Sequence, residues 1–212
     1  GMSDTIKDKQ PQVQDDPNDP STSTYKYPFT LEHAARLDVQ TSGAAGDIDL
    51  FVLYDFNGDG AFNFNSEVVG SSTTSTANEF VSIVMPPDGN YIAAVHGWNA
   101  ANTTFDIAIT AVQGYDLNVT NLPAGPYQPN TPINFTVEWQ LDAPLAPGEV
   151  AEGLILAGPP GAEAALQIPV RLHNITTGVE TVTLAATEDT YIQAGTPNLN
   201  FGAWAYLYTG GS

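Results

Sequence analysis

A chain of 212 residues with 42% apolar content, 19 glycines and 16 prolines has material for one or two packed cores and too much punctuation for a helical protein. Its 24 acidic residues against 5 lysines and arginines give a formal charge of −19, which argues against nucleic acid and anionic membranes as partners and suits divalent cations that need clustered oxygens. Without cysteine there is no disulfide framework and no thiolate metal site.

No apolar stretch approaches the roughly 18 residues that span a bilayer, and no charged-then-apolar leader opens the chain. Gly1-Met2 reads as an expression scar ahead of an arbitrary start, so an extracellular location is an inference rather than a reading of a signal. Residues 3–24 are dense in Asp, Pro, Ser and Thr and almost without large apolar side chains, which predicts a linker or extended arm over 1–24. From Tyr25 the pattern changes to short apolar runs with period two, as in Ala35–Val39 and Ile48–Tyr54, and these predict strands. Further strands are expected at Glu79–Met85, Gly89–Gly97 and Thr104–Val112, each bounded by Gly, Pro or Asn, with the polar tract 70–78 as a loop. Their spacing predicts a first β-sandwich over 25–114.

A second series follows at Asp116–Thr120, Ile133–Leu141, Gly148–Leu156 and Ala165–His173, separated by Pro-rich turns. It predicts a smaller sandwich over 115–176, marginal by itself and leaning on its neighbours. Residues 177–212 hold an alternating strand, a Gly-Thr-Pro-Asn turn and an aromatic strand. They either complete the second sandwich or open a further β domain. The fold class is therefore all-β, two antiparallel sandwiches, jelly-roll-like and then Ig-like, behind a disordered or extended N-terminal arm.

The ordered motifs DIDLFVLYD, SEVVGSS, STANEFVSIVMPP, DGNYIAAVHGW and TTFDIAI within residues 35–112 resemble the β-sandwich that lies C-terminal to the catalytic domain of bacterial subtilisin-like serine proteases, the pre-peptidase C-terminal domain. Residues 115–174 resemble the immunoglobulin or fibronectin-like module that often follows in such proteases. Asp189-Thr190-Tyr191-Ile192 with Gly195 through Gly202 resembles the opening strands of a DNRLRE-type carbohydrate-associated domain. These resemblances imply accessory roles: folding or secretion of a protease, adhesion to substrate or glycan, and removal during maturation in some relatives.

The sharpest chemical signal is Asp55-Phe56-Asn57-Gly58-Asp59-Gly60, the opening D-x-[DN]-x-[DN]-G of a calcium loop, in which alternate oxygen ligands wrap a hard cation and Gly60 permits the turn. Position 12 is Ser66 and the acid Glu67 comes one later, so a helical EF-hand is excluded and a hairpin variant is expected. Asn63, Asn65 and Glu67 are further candidate ligands, as are Asp47 and Asp49 on the preceding strand, with Ca²⁺ as the cofactor. The competing reading is a metal-free Asn-Gly/Asp-Gly turn.

Catalytic motifs are absent: there is no G-x-S-x-G elbow and no H-E-x-x-H, and His33, His96 and His173 are scattered as strand-end or surface residues. Phe62 and Phe64 on one strand face, and Phe201, Trp204, Tyr206 and Tyr208 near the C-terminus, are read first as core and second as a glycan-stacking surface. Asn102, Asn118, Asn134 and Asn174 head Asn-x-Thr sequons. The expected function is a non-catalytic, calcium-stabilised accessory module of a secreted subtilisin-like protease. The alternatives are an extracellular fibre or surface-layer subunit assembling by strand addition with identical copies, and a polysaccharide-binding adhesion module.

Overall fold

The computed structural model describes residues 8–100, 103–128, 130–141, 143–174 and 202–209. The chain divides into two compact units, Asp4–Ala111 and Val112–Ser212 with Gly1–Ser3.

The first unit is built from β1 (Asp8–Gln12), β2 (Tyr25–Leu31), β3 (Ala34–Ser42), β4 (Asp47–Tyr54), β5 (Val68–Ser72), β6 (Phe80–Val84), β7 (Gly89–Asn99) and β8 (Thr103–Gln113). They form two antiparallel four-stranded sheets with orders β1-β8-β3-β6 and β2-β7-β4-β5. That interleaving is the winding of a jelly roll. Period-two alternation sends Leu37 and Val39 of β3 and Phe105, Ile107 and Ile109 of β8 inward against Ile48, Leu50 and Val52 of β4 and Tyr91, Ala93 and Val95 of β7. Each buried Val, Leu, Ile or Phe among them contributes about 1.5–3 kcal/mol. The opposite faces of β3 and β8 carry Asp38, Gln40, Thr104 and Asp106, so that sheet has one wet side.

The predicted strands of this unit coincide with β3, β4, β6, β7 and β8, while β5 takes Gly70–Ser72 out of the tract expected to be loop. The N-terminal boundary moves as well. The segment expected to lie outside the sandwich supplies β1, which pairs with β8 from Asp8↔Ile107 to Gln12↔Thr103 and is the first strand of the wind. Its composition carries no apolar signal because main-chain bonding holds it, and side-chain patterning is silent about those bonds. Residues 13–24 then continue along β7. The Gln14 amide donates to the carbonyls of Gly97 (2.9 Å) and Trp98 (2.7 Å), and a short 3-10 turn at Pro20–Thr22 is capped by Asp19.

The second unit holds β9 (Leu117–Thr120) paired with β10 (Thr136–Trp139), and a three-stranded antiparallel sheet ordered β12 (Leu166–His173), β11 (Val150–Gly158), β13 (Gly202–Thr209). Leu117, Ala151, Ile155, Val170 and Leu172 form its buried core. The aromatic C-terminal strand thus pairs with β11, from Ala151↔Thr209 to Gly158↔Gly202. The alternating strand near 179, the Gly-Thr-Pro-Asn turn, Phe201 and all but the last residue of the segment resembling the carbohydrate-associated domain lie outside the described residues. Of the sequon asparagines, Asn118 and Asn134 are exposed, whereas the Asn174 amide donates to Leu145 O. Asn102 lies outside the described residues.

β5 packs closely on β6 of the facing sheet at Gly70. A Cβ on Gly70 would stand 2.5 Å from Val81 Cγ1 and 3.5 Å from Ile83 Cδ1. Gly70→Val is expected to lower stability by about 1–3 kcal/mol through overpacking, measured by urea denaturation of the full chain. An unchanged midpoint would contradict that close approach.

Candidate functional site

β4 and β7 are apolar on both faces, so the outer face of their sheet needs its own cover. Leu53, Ile92 and Ala94 are buried there, packed against Phe51, Phe62, Phe64 and Val68. Phe62 and Phe64, expected on a strand, lie in the β4–β5 connection 55–67. Phe64 meets Phe51 edge-on at 5.9 Å between ring centroids and carries the Lys26 ammonium at 5.4 Å on its own ring.

The same connection contains the predicted calcium loop. Asp55 is buried, and its carboxylate collects three backbone N–H groups: Gly58 at 2.8 Å and Asp59 at 3.2 Å on Oδ1, and Gly60 at 3.0 Å on Oδ2. Asn57 Oδ1 accepts from Asp59 N (2.8 Å), Asp59 Oδ1 from Ala61 N (2.8 Å), and Asn63 Oδ1 from Asn65 N (2.8 Å). Gly58 and Gly60 have φ of +72° and +77°, a conformation that favours glycine and explains both positions. The successive turns curl the loop with its oxygen-bearing side chains at every second residue.

Glu67 closes the loop. It is 1% exposed; its N–H donates to Asn63 O, its carbonyl accepts from Tyr54 N, and its Oε2 accepts from Asn63 N at 2.7 Å. Its Oε1 is buried without a hydrogen-bond partner. A buried carboxylate oxygen in that state is costly unless a cation or proton meets it. Among the described residues no three His, Asp or Glu side chains converge as a metal centre, so a cation here would depend on Asn and main-chain oxygens as well as on carboxylates.

Asp47 and Asp49 do not join this set. β4 runs from Asp47 to Tyr54, and at about 3.3 Å per residue Asp49 lies about 20 Å from Asp55. They form a different acidic group at the far end of the strand. Asp49 is buried, and burial first, with the negative charges of Asp47 and Glu79 behind it, pushes its pKa up to about 6. Glu79 is buried and accepts hydrogen bonds from the Ser72 and Thr74 hydroxyls and from Thr74 N. Sequence reasoning missed Glu79, whose only signal was its place after a Ser/Thr run.

A third polar cluster was also missed. His96, expected at a strand end or surface, is 1% exposed within β7. Ser23 Oγ stands 3.4 Å and Asp15 Oδ2 3.7 Å from the same ring nitrogen, Nδ1, while Nε2 is buried without a partner. A nucleophilic relay needs the hydroxyl and the carboxylate on opposite nitrogens of the imidazole, so this Ser-His-Asp group is not one. Its carboxylate acts on the backbone instead: Gly97 N donates to Asp15 Oδ2 at 2.7 Å, Asp15 N donates to Gly97 O at 2.9 Å, and Thr24 Oγ1 donates to Asp15 Oδ1 at 2.6 Å.

The sequence model of the bacterial pre-peptidase C-terminal domain matches residues 23–97, about a third of the chain, from just ahead of β2 into β7. No curated protein matches the chain.

Asp15→Ala leaves the Gly97 N–H buried and unpaired and is expected to destabilise the first unit by about 1–3 kcal/mol, read from denaturation midpoints. For Asp49 the native pKa is raised, so the folded state holds the proton more tightly and the group's unfavourable effect is present above pH 6 and vanishes as pH falls toward 4. Asp49→Asn is expected to stabilise the chain at pH 7 by about 1–3 kcal/mol and to be neutral near pH 4. Equal stability of the two proteins at pH 7 would contradict this.

Proposed function

We propose that the chain is a non-catalytic accessory module of a secreted subtilisin-like protease, acting in binding, secretion or maturation, with a calcium ion holding the β4–β5 loop. The observation that carries the accessory role is the family match over residues 23–97, since the pre-peptidase C-terminal domain is an accessory domain of bacterial proteases that are secreted. The second unit stands here as the Ig-like module that accompanies it, and the C-terminal segment as the start of the carbohydrate-associated type.

Calcium is favoured by the donor chemistry. Asp55, Asn57, Asp59 and Asn63 present hard oxygens at alternate positions, Asn65 extends the series, and the buried Oε1 of Glu67 lacks a partner. Hard carbonyl and carboxylate oxygens suit Ca²⁺ and its tolerance of irregular coordination. In a chain without cysteine the ion would act as the staple. For the fibre-subunit reading, strand addition at β8 would require β1 to leave the edge it occupies.

Isothermal titration of the full chain with Ca²⁺ is expected to show one saturable event, weakened at least tenfold by Asp55→Ala or Asp59→Ala. A flat titration of the unsubstituted chain would remove the calcium part of the proposal. The purified chain is expected to leave azocasein intact; turnover that co-purifies with it would remove the non-catalytic part.

A further inference from the structure

We propose that cation binding in the 55–67 loop governs the cover over the outer face of the β4–β7 sheet, so that loss of the ion undocks Phe62 and Phe64 and exposes a second apolar core. The inference rests on the calcium reading of this loop and adds its regulation.

Three observations carry it. First, the outer-face residues Leu53 (0% exposed), Ala94 (0%) and Ile92 (6%) belong to a cluster whose covering aromatics, Phe62 and Phe64, come from that loop. Second, the hydrogen bonds that shape residues 57–65 run within the loop, from its side-chain oxygens to its own N–H groups, while attachment to the sheet is confined to the ends. There Asp55 N donates to Asn90 O at 3.0 Å and Tyr54 N to Glu67 O at 2.9 Å. Third, the closing residue Glu67 holds Asn63, between the two phenylalanines, through one carboxylate oxygen and has the other buried without a partner. The placement of Phe62 and Phe64 therefore follows the state of Glu67, whose buried second oxygen a cation would satisfy.

Without the ion, the cost of the buried Glu67 oxygen favours opening of the loop. The aromatic pair leaves with it, and Phe51, Leu53 and Ile92 meet water. An apolar surface exposed in this way is a site for association or for proteolytic cutting. A module of this design holds together where calcium is abundant and becomes cleavable where it is scarce.

The test uses the full chain in calcium and in EGTA, with titration calorimetry alongside. Chymotrypsin cleavage after Phe62 and Phe64 is followed by mass spectrometry, and exposed apolar surface by ANS fluorescence. At free calcium ten times the dissociation constant, cleavage at these bonds slows about tenfold relative to EGTA, because cutting tracks the undocked population. ANS emission falls in parallel. Phe64→Ala binds calcium with the same stoichiometry but more weakly, since coupling between ion and cover is reciprocal, and keeps its ANS signal in calcium. Asp59→Ala, at an exposed position, is cut in calcium within about twofold of the rate of the unsubstituted chain in EGTA, with circular dichroism confirming that both variants fold. Calcium binding with unchanged cleavage and ANS emission overturns the cover and leaves the calcium reading intact; absence of calcium binding overturns both.

Discussion

The first unit depends on one constraint: β4 and β7 are neighbours at the centre of their sheet, and both of their faces must be kept dry. One face presents no difficulty, because the opposing sheet buries Ile48, Leu50, Val52, Ala93 and Val95. Over the other, the described residues of this unit place no second sheet. What lies there is irregular chain, the β4–β5 connection over Leu53, Ile92 and Ala94 and the segment after β1 around His96. Irregular chain cannot close its main-chain hydrogen bonds in a ladder, so it must bring side chains that do so. The concentration of Asp and Asn in these two segments follows from that requirement.

The unusual charge balance shapes how those acids are handled. Asp15, Asp49, Asp55, Glu67 and Glu79 are all buried, in a chain with only 5 lysines and arginines. Ion pairing is therefore replaced by N–H and hydroxyl donors: three N–H groups for Asp55, an N–H and a threonine hydroxyl for Asp15, two hydroxyls and an N–H for Glu79. Donors of this kind satisfy the carboxylate oxygens without a buried countercharge. The exceptions mark the electrostatically open places. Glu67 has one oxygen provided for and one not, and Asp49 lies among like charges with its proton affinity raised.

What the sequence disclosed and what it concealed divide along the same physical line. Strands whose alternation reflects burial, such as Ala35–Val39 and Thr104–Val112, were legible because side-chain patterning is the cause of their placement. β1 was not, since a polar segment pairs through its main chain and leaves no pattern. Gly70–Ser72 was concealed by small residues that fit a close approach between sheets and also look like loop. The Asp55–Gly60 turn was legible as a local motif, whereas Asp47 and Asp49 are near it in sequence but lie toward the other end of β4. The Asp15–Ser23–His96 cluster joins residues more than seventy positions apart, and nothing local announces it.

The clasp between Asp15 and Gly97 has a consequence for how the chain acquires its fold. Its partners are separated by 82 positions, and β1 must likewise wait for β8. The N-terminal segment of this unit is thus among the last to find its place, after the loop-closure entropy of nearly the whole unit has been overcome. Until then the outward side of β7 near His96 and the free edge of β8 stand open together, and the same small set of main-chain bonds closes both.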